Sequence, residues 1–159
     1  RTLQQATRLK IILEALQEEN QKGTSIPLLV KMSPDLQTDD CVRSLETAVD
    51  AGFQGAIISN TTISRDGIPN AERYGDGGMS GAPLFDASTQ KLKEIVQHFR
   101  DSPIDFIGVG GVMNGEQAVQ KRAAGAALVQ AYTGFIYGGP TFAAQLCEAL
   151  VTETKRLTS

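Results

Sequence analysis

Apolar residues recur along this chain at two alternating spacings. Leu3, Ala6, Leu9, Leu13 and Leu16 fall every three or four positions with Glu and Gln between them, which predicts an amphipathic helix. "KGTSIP" interrupts that pattern. The runs Leu28–Met32, Gly55–Ser59, Ile104–Val109 and Ala127–Ala131 are short and mainly apolar without strict alternation, the form of strands covered on both faces. Helical patterns separate them. One starts at Thr38 as its cap, carries Asp39 and Asp40 in its first turn and Val42, Leu45 and Val49 on its inner face, and stops at Gly52. Another starts at Asp86 and buries Leu92, Ile95, Val96 and Phe99. A short helix is capped by Asn114 and ended by Gly125, and Phe142, Leu146, Ala149 and Leu150 line the last. Strand and helix alternate throughout, the pattern of a parallel sheet wrapped by helices. A doubly wound α/β sheet and a (β/α)₈ barrel both satisfy it.

In either architecture the chemistry sits where strands end, so the residues after each run are the candidate site. Lys31 ends the first, and Ser59, Asn60, Thr61 and Thr62 follow the second. The third ends in Gly108, Gly110 and Gly111, the fourth in Gln130, Tyr132 and Thr133. "GVGGVMNG" pairs a glycine turn with a helix start, which suits a phosphate: amides approach unhindered and the helix dipole adds positive potential. Its spacing is not G-x-G-x-x-G, and no acidic residue ends the next strand to hold a ribose, so a Rossmann dinucleotide site is disfavoured. The bland alternative is a tight turn against a closely packed helix. Lys31 at a barrel mouth can stabilise a developing anion, where a strand-end lysine elsewhere only snorkels to water. Asn60 offers a donor and an acceptor. The polar, Gly-rich stretch from Asn60 to Phe85 is too long for a routine connection and reads as a binding loop.

Composition narrows the classes. The chain has 159 residues, 41% hydrophobic and 21% charged, with a net charge of −3 and no basic stretch, so nucleic acid is not an expected partner. No apolar run reaches transmembrane length. Arg1 lies inside a helix-like pattern, and no targeting signal is visible there. Cys41 and Cys147 stand apart from any CxxC or Cys/His cluster and read as unreactive thiols, with no metal site. His98, the single histidine, falls on a helix flank away from every strand exit and reads as a surface residue; no Ser/His/Asp triad can be built on it.

The segments "LLVKMSPDL", "ISNTTISR", "GGMSGAPLFDAST", "FIGVGGV" and "AALVQAYTGFIYGGP" resemble, in order and along nearly the whole chain, class 2 dihydroorotate dehydrogenases. "SNTT" followed by "GGMSGAPL" is similar to class 2 rather than class 1. The resemblance implies the C-terminal half of an FMN-binding (β/α)₈ TIM barrel, strands five to eight with their helices, over residues 1–159. It implies oxidation of dihydroorotate to orotate in pyrimidine biosynthesis, with hydride passed to FMN and electrons to a membrane quinone. By the same resemblance Lys31 and Ser59 contact FMN, as do Gly81 and the glycine pair Gly110 and Gly111. Tyr132 and Thr133 hold its phosphate through their backbone, Asn60 and Thr61 bind the pyrimidine, and Lys31 stabilises charge on the flavin.

The family's base is a serine in a loop of the form "SSPNTxGLR" just before an "LQ" helix start. The opening "RTLQQATRLK" places that loop upstream of Arg1, and Ser25, Ser33 and Ser64 do not match it. Quinone and membrane contacts are expected from a missing N-terminal region, at a mitochondrial inner or bacterial plasma membrane. Ala82 departs from the basic residue many relatives carry. Two other readings stand beside this one: a different FMN- or phosphate-binding barrel enzyme, and a non-catalytic half-barrel that pairs with another chain.

Overall fold

Four short strands lie side by side in chain order in the computed structural model, which describes residues 6–158. They are β1 (Leu29–Met32), β2 (Gly55–Ile58), β3 (Asp105–Val109) and β4 (Leu128–Gln130). All neighbours are parallel, with Lys31 opposite Ile57, Ile57 opposite Ile107 and Val109 opposite Gln130. Every strand exit therefore lies at the same end of the sheet. The helices are α1 (Ala6–Gln21), α2 (Thr38–Asp50), α3 (Phe85–His98), α4 (Gly115–Ala123), α5 (Thr133–Gly138) and α6 (Phe142–Thr158).

Met32, Leu45, Ile58, Leu92, Ile95 and Phe106 form the main core, where α2 and α3 cover the sheet. Phe85, Val112, Ala118, Phe142 and Leu146 form a second cluster joining the start of α3 to α4 and α6. Leu9 and Leu13 of α1 pack on Ala48 and Phe53. Leu16 is half exposed, so the inner face of α1 is narrower than its apolar spacing suggests; Leu3 lies outside the described residues.

The expectation that the apolar strands are covered on both faces holds for β2, which is nearly all buried, and fails at the two sheet edges. Leu29 on β1 is 36% exposed and Leu128 on β4 is 64% exposed. Two of the expected caps also differ. Thr38 is the first residue of α2 and caps nothing; its hydroxyl donates to Glu94 Oε2 at 2.9 Å and accepts from Lys91 Nζ at 3.1 Å, tying α2 to α3. Asp86 lies in the first turn of α3, which the chain enters through a 3₁₀ turn, Ala82–Leu84. Asn114 caps α4 as expected, its Oδ1 accepting from Gln117 N at 2.9 Å. Gly52 and Gly125 close their helices at positive φ, 82° and 102°. The short α5 is not foreseen by the apolar pattern. No helix among the described residues is long and apolar enough to cross a membrane.

Candidate active site

A cavity of about 240 Å³ lies at the strand exits. The nine residues to which the resemblance gives a role line it: Lys31, Ser59, Asn60, Thr61, Gly81, Gly110, Gly111, Tyr132 and Thr133; of the other strand-exit candidates, Thr62, Gly108 and Gln130 do not. Ser80, Leu84, Val109, Val112 and Ala131 complete the wall and were not foreseen. Ser25, Ser33 and Ser64 do not line it.

Backbone bonds splice neighbouring exits together. Ser59 N donates to Val109 O at 3.1 Å and Asn60 N to Met32 O at 2.8 Å, so the β2 exit is fixed to those of β3 and β1. The Ile58–Ser59 peptide is cis, and Ser59 is buried. Asn60 is exposed, and its Oδ1 accepts from Thr61 N at 2.9 Å. That internal bond occupies one of the two acceptor positions of Oδ1, and the Asn60 NH₂ has no protein acceptor among the described residues.

The long loop folds onto the cavity instead of hanging free. Asp35, after β1, accepts from Ile63 N at 3.2 Å and from the Thr62 hydroxyl. Thr62 and Met79 pair through both backbone groups, at 3.2 and 2.7 Å. The Arg65 guanidinium donates to the carbonyls of Gly77, Gly75 and Ser64, gathering the glycine stretch. At the loop's end the Ser80 and Thr133 hydroxyls hydrogen-bond at 3.0 Å. A Cβ on Gly81, where φ is 79°, would stand 3.0 Å from Thr133 Cγ2. The loop is thereby stitched to the β4 exit.

The glycine turn has a different origin from the one its sequence suggests. A Cβ on Gly110 (φ 108°) would stand 2.8 Å from Ser88 Oγ, and one on Gly111 (φ 75°) would strike the backbone of Phe85. Both collisions are with α3, behind the cavity. Glycine is required because helix and turn pack closely, the bland alternative, and because φ is positive. The turn still leaves backbone donors available. Among the described residues the amides of Gly111, Tyr132 and Thr133 donate to no protein acceptor, while Gly111 is buried.

Behind this turn lies a charge the sequence reading missed. Lys121 of α4 is fully buried, and burial pulls its ammonium pKa down to about 8. Nζ donates to Ser88 Oγ at 2.6 Å and reaches Val109 O at 3.4 Å, with the Phe85 ring centroid 5.3 Å away. The spacing held one clue: Lys121 follows the buried Ala118 by three residues, on the same helix face.

Away from the site, Cys41 is buried, its thiol pKa pushed up to about 11 by burial, and Cys147 is exposed; neither is in a disulfide. His98 is exposed and meets Glu46 at 3.3 Å, the surface role expected of it.

The family model described as Dihydroorotate dehydrogenase matches residues 1–153. The chain belongs to the dihydroorotate dehydrogenase family. Its relatives include proteins named dihydroorotate dehydrogenase (quinone) from Acinetobacter baumannii strain SDF and Paraburkholderia xenovorans, each 41% identical over 94% of this chain and 46% of their own length. The chain thus spans about half the length of the curated relatives it matches. Crystal structures of DHODH from Eimeria tenella, one in complex with ferulenol and one ligand-free, superpose with TM-scores of 0.90 and 0.89 at 29% identity. They cover 99% of this chain, which covers 47% and 48% of theirs. The four-stranded parallel sheet is accordingly half of an α/β barrel, and the quinone-type relatives agree with the class 2 resemblance.

Proposed function

We propose that this chain supplies the FMN-phosphate cradle and part of the pyrimidine site of a quinone-dependent dihydroorotate dehydrogenase. The observation that carries the reading is the convergence of four strand exits and one long loop on a single cavity, with unpaired backbone donors at its glycine end. Those donors fit a phosphate: Gly111, Tyr132 and Thr133 offer amides that no protein acceptor uses. FMN, when bound, supplies the two-electron acceptor chemistry that no side chain here provides.

In this reading the chain's own groups bind and orient. Gly110 and Gly111 with Tyr132 and Thr133 hold the phosphate. Ser59 and Gly81 bracket the cofactor from the β2 exit and the loop. Lys31 extends from β1 into the cavity wall and stabilises negative charge developing beside it, a preorganised electrostatic role. The Asn60 NH₂ donates to the pyrimidine, and Thr61 lines the same side. Dihydroorotate is oxidised to orotate in pyrimidine biosynthesis, with a membrane quinone as final electron acceptor and the protein held at that membrane. Residues 1–159 form a partial FMN-binding barrel domain whose proton-abstracting serine lies outside this chain.

The test compares two preparations. The full-length protein carrying this chain should bind FMN and consume dihydroorotate with a quinone analogue. Residues 1–159 alone should show no turnover. A full-length protein that binds no FMN, or turnover by 1–159 alone, would overturn the reading.

A further inference from the structure

We propose that Lys121 and Ser88 form a buried cationic support for the Gly110–Gly111 turn, making Lys121 a positioning residue for the phosphate of the bound cofactor. This rests on the FMN reading above and deepens it.

The geometry runs from helix to turn in three steps. Lys121 Nζ donates to Ser88 Oγ at 2.6 Å. Ser88 Oγ lies 3.0 Å from the carbonyl oxygens of both Gly110 and Phe85, so its proton, turned away from the ammonium, is shared between them in a three-centre bond. The ammonium itself also reaches the Val109 carbonyl at 3.4 Å. The Gly110 carbonyl is thus held from the rear, while the Val109 carbonyl has Ser59 N as its closer partner at 3.1 Å. In a trans peptide the C=O and N–H point in opposite directions. Drawing the Gly110 carbonyl back onto Ser88 therefore turns the Gly111 N–H forward, to the cavity that Gly111 lines.

Charge adds to orientation. Among the described residues Lys121 forms no ion pair, and it is 0% exposed. A cation buried without a counter-ion is costly, and replacing such a group by an apolar side chain is often neutral or stabilising. Stability alone gives no reason for a lysine here. A dianionic phosphate on the far side of one peptide layer does, because in a low-dielectric interior an unscreened charge acts across such a layer. Lys121 neither touches the cavity nor carries the reaction; it acts through Ser88 and the turn.

The experiment uses the full-length protein carrying this chain, its Lys121→Met and Ser88→Ala variants, and two ligands, FMN and riboflavin. The ligands share the ring system and differ by the phosphate. Affinities are read by quenching of flavin fluorescence and apo-protein stability by thermal unfolding. Lys121→Met should weaken FMN binding about tenfold or more while riboflavin affinity stays within about twofold. Its apo melting temperature should be unchanged or higher. Ser88→Ala keeps the charge and releases the carbonyl, so its FMN-selective loss should be smaller, about threefold. Equal losses for both flavins, or unchanged FMN affinity, would overturn the proposal. If Lys121→Met does not fold, the FMN-to-riboflavin ratio of Ser88→Ala decides alone. Failure of the underlying reading shows separately, in the unsubstituted protein: it would bind FMN no better than riboflavin, and the proposal would fall with it.

Discussion

The front and rear of the Gly110–Gly111 turn are built on opposite principles. In front, facing the cavity, Asn60 and Tyr132 are exposed and backbone amides are left unpaired. Behind, Ser88 and Lys121 are fully buried and hydrogen-bonded to each other, and there is no room for one extra carbon at Gly111. The difference shows a division of labour: binding groups stay available because the wall that holds them is saturated. A turn left loose on both sides would let its amides find protein acceptors and close the opening they now leave to a ligand.

Substitutions on either side should separate cleanly, and the largest effect belongs to the rear. Gly111→Ala puts a Cβ into the Phe85 backbone at positive φ, so it should cost about 3 kcal/mol or more, combining overpacking with left-handed strain. Thermal unfolding should show a marked drop together with loss of FMN. An unchanged melting temperature would break the comparison at its root. Lys31→Ala, in front, should lower turnover on the order of 10²-fold while melting temperature and FMN content hold. A stability loss matching that at Gly111 would mean the front is structural too. Asn60→Ala should weaken orotate by roughly 1–3 kcal/mol with less effect on FMN, read by titrating flavin absorbance. The smallest effect sharpens the contrast: Gly67 shares positive φ (74°) but has open space around it. Gly67→Ala should cost only about 1 kcal/mol, the backbone strain without the collision.

Much of this site was legible because its signals are one-dimensional. Continuous apolar runs that stop in Lys31, Ser59-Asn60, Gly110-Gly111 and Tyr132-Thr133 locate both the strands and their shared end. Features set by neighbours from elsewhere in the chain were not. Whether Gly111 is demanded by a ligand or by α3 depends on where Phe85 packs, a contact between distant residues. Lys121 reads as one more charge in "QKR" until α3 and α4 are placed side by side. Thr38 and Asp86 are good caps by residue type, yet α3 is entered through a 3₁₀ turn and the Thr38 hydroxyl is taken by Glu94. The six-residue α5, with glycines at Gly134 and Gly138, is too short for a periodic pattern to register.

The strand order β1-β2-β3-β4 repeats the order of the chain, and this bears on how the pocket comes into being. Leu29 meets Gly55 and Ile107 meets Leu128 across one helical crossover each, whereas Gly55 meets Asp105 across the long loop as well. The middle pairing spans about twice the separation of the other two, adding roughly 0.6 kcal/mol of closure entropy. The two outer βαβ units therefore have the advantage in forming first, and the joint between them closes late. Lys31, Ser59 and Asn60 belong to the first unit, Gly111, Tyr132 and Thr133 to the second, and the loop bridges them. The cavity does not exist until that joint shuts, so the groups proposed to hold a ligand come together only at the end of this chain's own assembly.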